Sequence, residues 1–160
     1  MQNSDEITVR TGTPADVHKI MELGFMTVAE NGMGKPNPEK LLRDIWPSLN
    51  LDGGIVGVVG DERAEAAILL RVEPFWYSDD KVLLERAIFV HPDFRAAKVG
   101  RARLLCEFAK RAAQNLGMPL VIGVLSSQRA EAKVRLYTRQ FGEPSGAYWI
   151  YGATTGAGAQ

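Results

Sequence analysis

The sequence has a single cysteine, Cys106, so no disulfide can form within the chain. It has only two histidines, His18 and His91, far apart and far from Cys106. That spacing gives no metal-ligand cluster, and no metal is expected. Neither charge is in excess: 19 Lys+Arg face 19 Asp+Glu, for a formal net charge of zero. A dedicated nucleic-acid binder usually carries a basic surplus, so none is expected here. Long apolar runs are missing too. Gly54 to Val59, Ala66 to Leu70 and Leu120 to Leu125 all fall well short of the roughly 20 residues of a spanning helix. The N-terminal MQNSDEITVR lacks the apolar core of a signal peptide, and the expectation is a cytoplasmic protein. There is no G-x-x-x-x-G-K-[ST] phosphate loop, no G-x-G-x-x-G turn and no G-x-S-x-G elbow.

What is present is an ordinary globular composition. The 46% hydrophobic content is enough to offset the ordering entropy of one domain, expected over residues 1–152. The small, polar residues 153–160 read as a flexible tail.

Ile7 to Arg10 alternates as a strand. Thr13-Pro14-Ala15-Asp16 starts a helix that runs to about Ala29. Asn37-Pro38-Glu39 starts a second, with Leu41, Leu42, Ile45 and Trp46 as its apolar stripe and Pro47 as its end. Gly54 to Val59 and Ala64 to Val72 form a hairpin, with Pro74 breaking the second strand. Val82 to Val90 is the next strand. A helix from about Val99 to Leu116 carries Leu104, Leu105, Phe108, Ala112 and Leu116 on one face. Pro119 to Leu125 reads as a buried strand, Arg129 to Gln140 as a helix, and Tyr148 to Tyr151 as a last strand. The fold class is therefore α/β, or α+β. A mixed, mostly antiparallel central sheet is flanked by helices, and one parallel β-α-β crossover joins Val82–Val90 to Pro119–Leu125.

The stretch Ala87 to Leu105 carries the chemistry. A strand ends, a short loop follows, and a basic helix begins. Arg95, Lys98, Arg101 and Arg103 surround a helix N-terminus, where unpaired N–H groups favour anions. Ala96, Ala97 and Gly100 let a ligand approach the backbone. A phosphate site and a merely solvated basic helix start are both open on these residues alone.

Val90-His91-Pro92 followed by Arg95-Ala96-Ala97-Lys98-Val99-Gly100 resembles the acyl-CoA motif of the GNAT N-acetyltransferase superfamily, [QR]-x-x-G-x-[GA] after V-x-P. Arg95 and Gly100 match, and Lys98 replaces the middle glycine. Leu136-Tyr137 resembles the later N-x-x-A-x-x-L-Y-x-x-x-G-F pattern. There Ala130 and Lys133 depart from the Asn and Ala positions, and Phe141-Gly142 inverts the last pair. The similarity covers roughly Ile7 to Tyr151.

The resemblance implies an acetyl-CoA-dependent N-acetyltransferase, acting on a primary amine of a small molecule or peptide by direct transfer in a ternary complex. It implies that the parallel strands splay apart around the pantetheine arm, which would bond the backbone of Phe89 and Val90. The pyrophosphate would lie on the amides from Arg95 through Ala96, Ala97, Lys98, Val99 and Gly100 to Arg101. Side chains of Arg95, Lys98, Arg101 and Lys133 could reach the phosphates. Glu85 is the candidate general base; its rival role is an ion pair with Arg86 or another arginine. Tyr137 is the candidate acid toward the CoA sulfur; its rival role is core packing. Val90 N–H is the candidate to polarise the thioester carbonyl. Glu73, Trp76, Tyr77, Asp79, Asp80 and the loop Glu30 to Lys40 could line the acceptor side. Lys98, Ala130 and the inverted Phe141-Gly142 keep open the alternative of a degenerate module that binds a ligand or protein without catalysis. The Tyr148–Tyr151 strand could pair across a homodimer at a sheet edge.

Overall fold

The computed structural model describes residues 6–31, 33–96, 100–126 and 129–152. Ala97, Lys98, Val99 and the tail 153–160 lie outside them, so the expectations for those positions receive no structural account.

Five strands form one sheet in the order β1-β2-β3-β4-β5. They are β1 (Arg10–Thr11), β2 (Gly54–Val59), β3 (Ala66–Pro74), β4 (Lys81–Val90) and β5 (Leu120–Val121). The first four pair antiparallel, and β5 joins β4 in parallel. Between β1 and β2 lie α1 (Val17–Asn31) and α2 (Pro38–Leu49). Helix α3 (Arg101–Leu116) crosses from β4 to β5, and α4 (Ala130–Phe141) follows.

Helices cover both faces, which is why β2 and β3 read as nearly unbroken apolar runs rather than as alternation. Ala67 and Leu69 of β3 face Ile20, Leu23, Ile45 and Leu49 of α1 and α2. Ala66, Ile68 and Leu70 face Leu105, Ala109 and Ala113 of α3. Gly57 makes the second packing possible. A Cβ there would stand 2.7 Å from the Phe108 ring. Gly60 turns the β2–β3 hairpin at φ +98°, where a Cβ would lie 2.3 Å from Arg63 O.

Several expectations shift. The first strand is only Arg10–Thr11, and a single 3-10 turn at Pro14–Asp16 precedes α1. Buried Asp16 fixes that turn. It takes two 2.8 Å bonds from Arg10 and one from Thr13 N–H. The bonds from Arg10 hold its carboxyl down at about 2 against the cost of burial. Pro47 does not end α2, which continues to Leu49. The Ser48 hydroxyl and the Asn50 amide donate to Asp44 O and Trp46 O, so the distorted last turn keeps its carbonyls bonded. The stripe of α2 is rotated: Ile45 and Leu49 are buried, while Leu42 and Trp46 are exposed. β3 runs through to Pro74. The strand expected over Pro119–Leu125 is only Leu120–Val121. Tyr148–Tyr151 is not a strand; it is exposed and unpaired among the described residues.

Candidate active site

Strand β4 holds an irregularity that decides the site. Leu69 pairs with Ala87, but the next residue, Leu70, pairs with Glu85. Arg86 is therefore an extra residue, a β-bulge. Arg86 and Ala87 both turn toward the α1/α2 face. Arg86 bonds Asp44 of α2 at 3.0 Å and Glu73 of β3 at 2.6 Å, and Ala87 packs into that core. Leu83 and Ile88 belong to the α3 face. Glu85, opposite Leu70, is delivered to that face too. Arg86 is thus spoken for elsewhere, and the ion pair Glu85–Arg86 is not what the structure contains.

Pairing of β4 with β5 is confined to Leu83↔Leu120 and Leu84↔Val121. Beyond it the two chains part, and Glu85 sits where they separate. Gly123 N–H on the far side donates to Glu85 Oε2 at 3.4 Å. Burial pushes the Glu85 carboxyl up to about 7, while the Gly123 N–H and the Lys133 ammonium pull it down. Tyr137 and Lys133, one turn apart on α4, are the other members of this cluster. Burial, then the charge of Glu85, raises the Tyr137 phenol above its ordinary range. Its ring meets Phe141 edge-on at 5.8 Å. Burial lowers Lys133 from its usual value, against the attraction of Glu30 and Glu85. Cys106 lies behind them, its thiol pushed by burial up to about 12 and so inert. Among the described residues no group of three or more His, Cys, Asp or Glu side chains could hold a metal ion.

Beyond the bulge the backbone groups of β4 turn to β3 in alternate residues. His91 N–H donates to Glu65 O at 2.8 Å, across to β3. Two-residue alternation then turns the Phe89 groups to β3 as well, and those of Ile88 and Val90 toward the opening. Phe89 thus turns its backbone groups to β3, and Ile88 and Val90 turn theirs away from it. Glu85 and Val90 are five residues apart, about 16 Å along a strand. The bulge at Arg86 lies between them.

At the upper end, helical bonding in α3 begins with Leu104 N–H to Gly100 O at 3.2 Å. Among the described residues the amides of Ala102 and Arg103 have no helical acceptor, and Gly100 has no side chain to cap them. Gly100 is exposed in an extended conformation, and a Cβ there would meet only Arg103 Cβ at 3.7 Å. Two of the expected phosphate-binding side chains are engaged inside the fold. Arg95 pairs with Glu30 at the end of α1 and donates from Nε to Val90 O at 3.1 Å. Arg101 is buried, bonds Glu65 at 2.9 and 3.1 Å, and lies 5.1 Å from the Phe94 ring centroid. Its position four, eight and twelve residues before Leu105, Ala109 and Ala113 already marks it as part of the buried stripe of α3. Glu30, Glu65, Ile88 and Gly123 went unnoticed in the sequence, except that Glu30 opens a loop expected near the acceptor. Of the residues expected on the acceptor side, Glu73 is taken by Arg86. Trp76 and Tyr77 are exposed on the β3–β4 loop, with Tyr77 stacked on Phe75.

No protein-family model and no curated protein matches the sequence. Solved structures do match in three dimensions. Aminoglycoside N-acetyltransferase AAC(6')-Iy, in complex with the bisubstrate analogue CoA-S-monomethyl-acetylneamine, aligns with a TM-score of 0.69 at 17% identity. The alignment covers 93% of this chain and 99% of that one. The chain has the GNAT acetyltransferase fold. Aminoglycoside 6'-N-acetyltransferase AAC(6')-Ih from Acinetobacter baumannii shares this fold at TM-score 0.64 and 11% identity, over 94% and 100% of the two chains. The integron cassette protein HFX_CASS3, from the mobile metagenome of Cole Harbour Salt Marsh, aligns at TM-score 0.67 and 20% identity, over 91% and 90%. The parting of β4 and β5 and the start of α3 lie at the two ends of the stretch from Glu85 to Arg101. No helix among the described residues is long and apolar enough to cross a membrane.

Proposed function

We propose that this chain is an acetyl-CoA-dependent N-acetyltransferase that acylates a primary amine by direct transfer. The observation that carries this reading is the carboxyl of Glu85, raised to about 7 at the point where β4 and β5 separate. A carboxylate so placed is half ionised near neutral pH, where a general base works best.

Backbone donors at the two ends of this stretch support a site for the cosubstrate. The start of α3, with the Ala102 and Arg103 amides and the open Gly100, would take the pyrophosphate. Ala96 and the residues Ala97, Lys98 and Val99 remain part of that proposal, as the loop leading into the helix. Ile88 and the Val90 N–H, whose carbonyl already accepts from Arg95, would bond the pantetheine amides along the strand edge, which brings the thioester down to Glu85 and Tyr137. Acetyl-CoA supplies the activated acyl group. A lysine-like amine costs about 4–5 kcal/mol to deprotonate at pH 7. Glu85 takes its proton, directly or through one water, as the N–C bond forms and the C–S bond breaks. Tyr137, held protonated by its surroundings, donates a hydrogen bond to the departing thiolate. Lys133 is better suited to hold charge near Glu85 than to reach a phosphate, given its neighbours Glu30, Glu85, Arg95 and Arg129.

One observation favours the second reading, a non-catalytic module. Arg95 and Arg101, two of the cations assigned to the phosphates, are already bound to Glu30 and Glu65. Turnover separates the readings. Release of CoA from acetyl-CoA, dependent on an added amine and lost in Glu85→Gln, supports the transferase. Tight CoA binding without turnover on a broad amine panel supports the module.

A further inference from the structure

Among the described residues, the arginines on the way from β4 into α3 are all engaged inside the chain. Arg86 is held by Asp44 and Glu73, Arg95 by Glu30, and Arg101 by Glu65. Arg103 pairs with Glu107 at 2.6 Å, one turn along α3. A free guanidinium stands on the other helix. Lys110 of α3 donates to Gln140 of α4 at 3.0 Å, and its ammonium lies 5.2 Å from the Phe141 ring centroid. One turn earlier, Cys106 and Tyr137 are close enough to interact electrostatically. These contacts join residues 30 or 31 positions apart, and a constant offset means that the two helices run side by side in one direction. Carried back about three turns, the same offset sets Arg129, which opens α4, level with the start of α3.

Arg129 is exposed, and its side chain has no hydrogen bond or ion pair among the described residues. Its charge reaches Lys133 of the Glu85–Tyr137 cluster. Its backbone is left-handed, φ 57° and ψ 20°, a conformation that suits glycine better than arginine. Nothing in its own fold accounts for a long cationic side chain there.

We propose that Arg129 is the guanidinium that binds a phosphate of the cosubstrate, in place of Arg95 and Arg101. This rests on the reading of the opening beside β4 as a site for acetyl-CoA. The guanidinium fork takes two phosphate oxygens at once, which the point charge of a lysine cannot do. The pyrophosphate and the 3′-phosphate offer the same oxygens, so the ligand chemistry is shared between them.

Calorimetric titration of the wild type and of Arg129→Gly with acetyl-CoA and with acetyl-3′-dephospho-CoA tests this. Glycine accepts φ 57° without strain, so the variant should melt at or above the wild-type temperature. Its dissociation constant for acetyl-CoA should rise about 10- to 100-fold at low salt and by less at high salt. Arg129→Lys should recover part of the loss. A rise with both ligands puts Arg129 on the pyrophosphate, and a rise with acetyl-CoA alone puts it on the 3′-phosphate. A wild type that binds acetyl-CoA beside an Arg129→Gly variant that binds it equally well would overturn the proposal and leave the cosubstrate site standing. So would a loss of equal size at low and high salt. A wild type with no affinity for acetyl-CoA would overturn both.

Discussion

Glu85→Gln should lower activity and raise stability at the same pH. In the folded chain the carboxyl is raised from the ordinary 4.5 to about 7, chiefly by burial. Below pH 4.5 folded and unfolded chains both hold the proton, and Glu85 imposes no penalty. Between 4.5 and 7 the unfolded chain releases its proton while the folded chain keeps it, so stability falls as pH rises. Above 7 the full penalty applies, at most about 3 kcal/mol for a shift of this size. Glutamine carries no such penalty and keeps an oxygen for the Gly123 N–H. The variant should therefore melt roughly 6–12 °C above the wild type at pH 8, and within a degree or two of it at pH 4.5. Activity should move the other way. Wild-type kcat/KM should rise with pH up to a midpoint near 7. The variant should lose that limb and about two to four orders of magnitude in rate. Thermal melts at the two pH values and a pH–rate profile supply both readouts. A variant that is less stable than wild type at pH 8 would show that the buried carboxylate is a partner in the fold rather than a strained base. An unaltered rate profile would remove Glu85 from the chemistry.

Three further substitutions probe the rest of the groove. Tyr137→Phe should lower kcat about 10- to 100-fold and leave CoA affinity nearly unchanged, since only the hydrogen bond to the leaving sulfur is lost; steady-state kinetics with an equal kcat would return Tyr137 to core packing. Gly100→Glu should abolish CoA binding in calorimetry while the melting temperature holds, because the new side chain has open space in the free fold but faces the pyrophosphate. Arg101→Ala should destabilise the chain by about 2–3 kcal/mol in urea titration, because it strands Glu65 half-buried. A variant of full stability that merely bound CoA more weakly would instead make Arg101 a phosphate ligand.

Elements with two-sided constraints were readable in the sequence. Gly54–Val59 begins and ends where its glycines and turn residues place it, and Asn37 caps α2 by accepting from Lys40 N–H at 3.1 Å. The end of α3 at Gly117 follows from the left-handed conformation that glycine there adopts, φ 65°. Three things were hidden. The face of Glu85 depends on the extra residue at Arg86, and no alternation pattern locates a bulge. The engagement of Arg95 and Arg101 depends on Glu30 and Glu65, which are 65 and 36 residues away along the chain. Charge density at a helix start shows how many cations are near, but only tertiary contacts show which are free. Tyr148–Tyr151 has strand propensity, and propensity cannot supply the neighbour that a strand needs. Prolines misled in the opposite direction. Pro47 lies inside the last turn of α2 and Pro74 is the last residue of β3, so neither cuts its element short.

Calorimetric titration of the purified chain with acetyl-CoA, beside the Gly100→Glu variant, bears most directly on the groove between β4 and β5. Saturable one-to-one binding in the micromolar range, absent from the variant, is the predicted result. No heat at millimolar ligand would contradict the assignment of the groove to CoA, and with it the roles given to Glu85 and Tyr137.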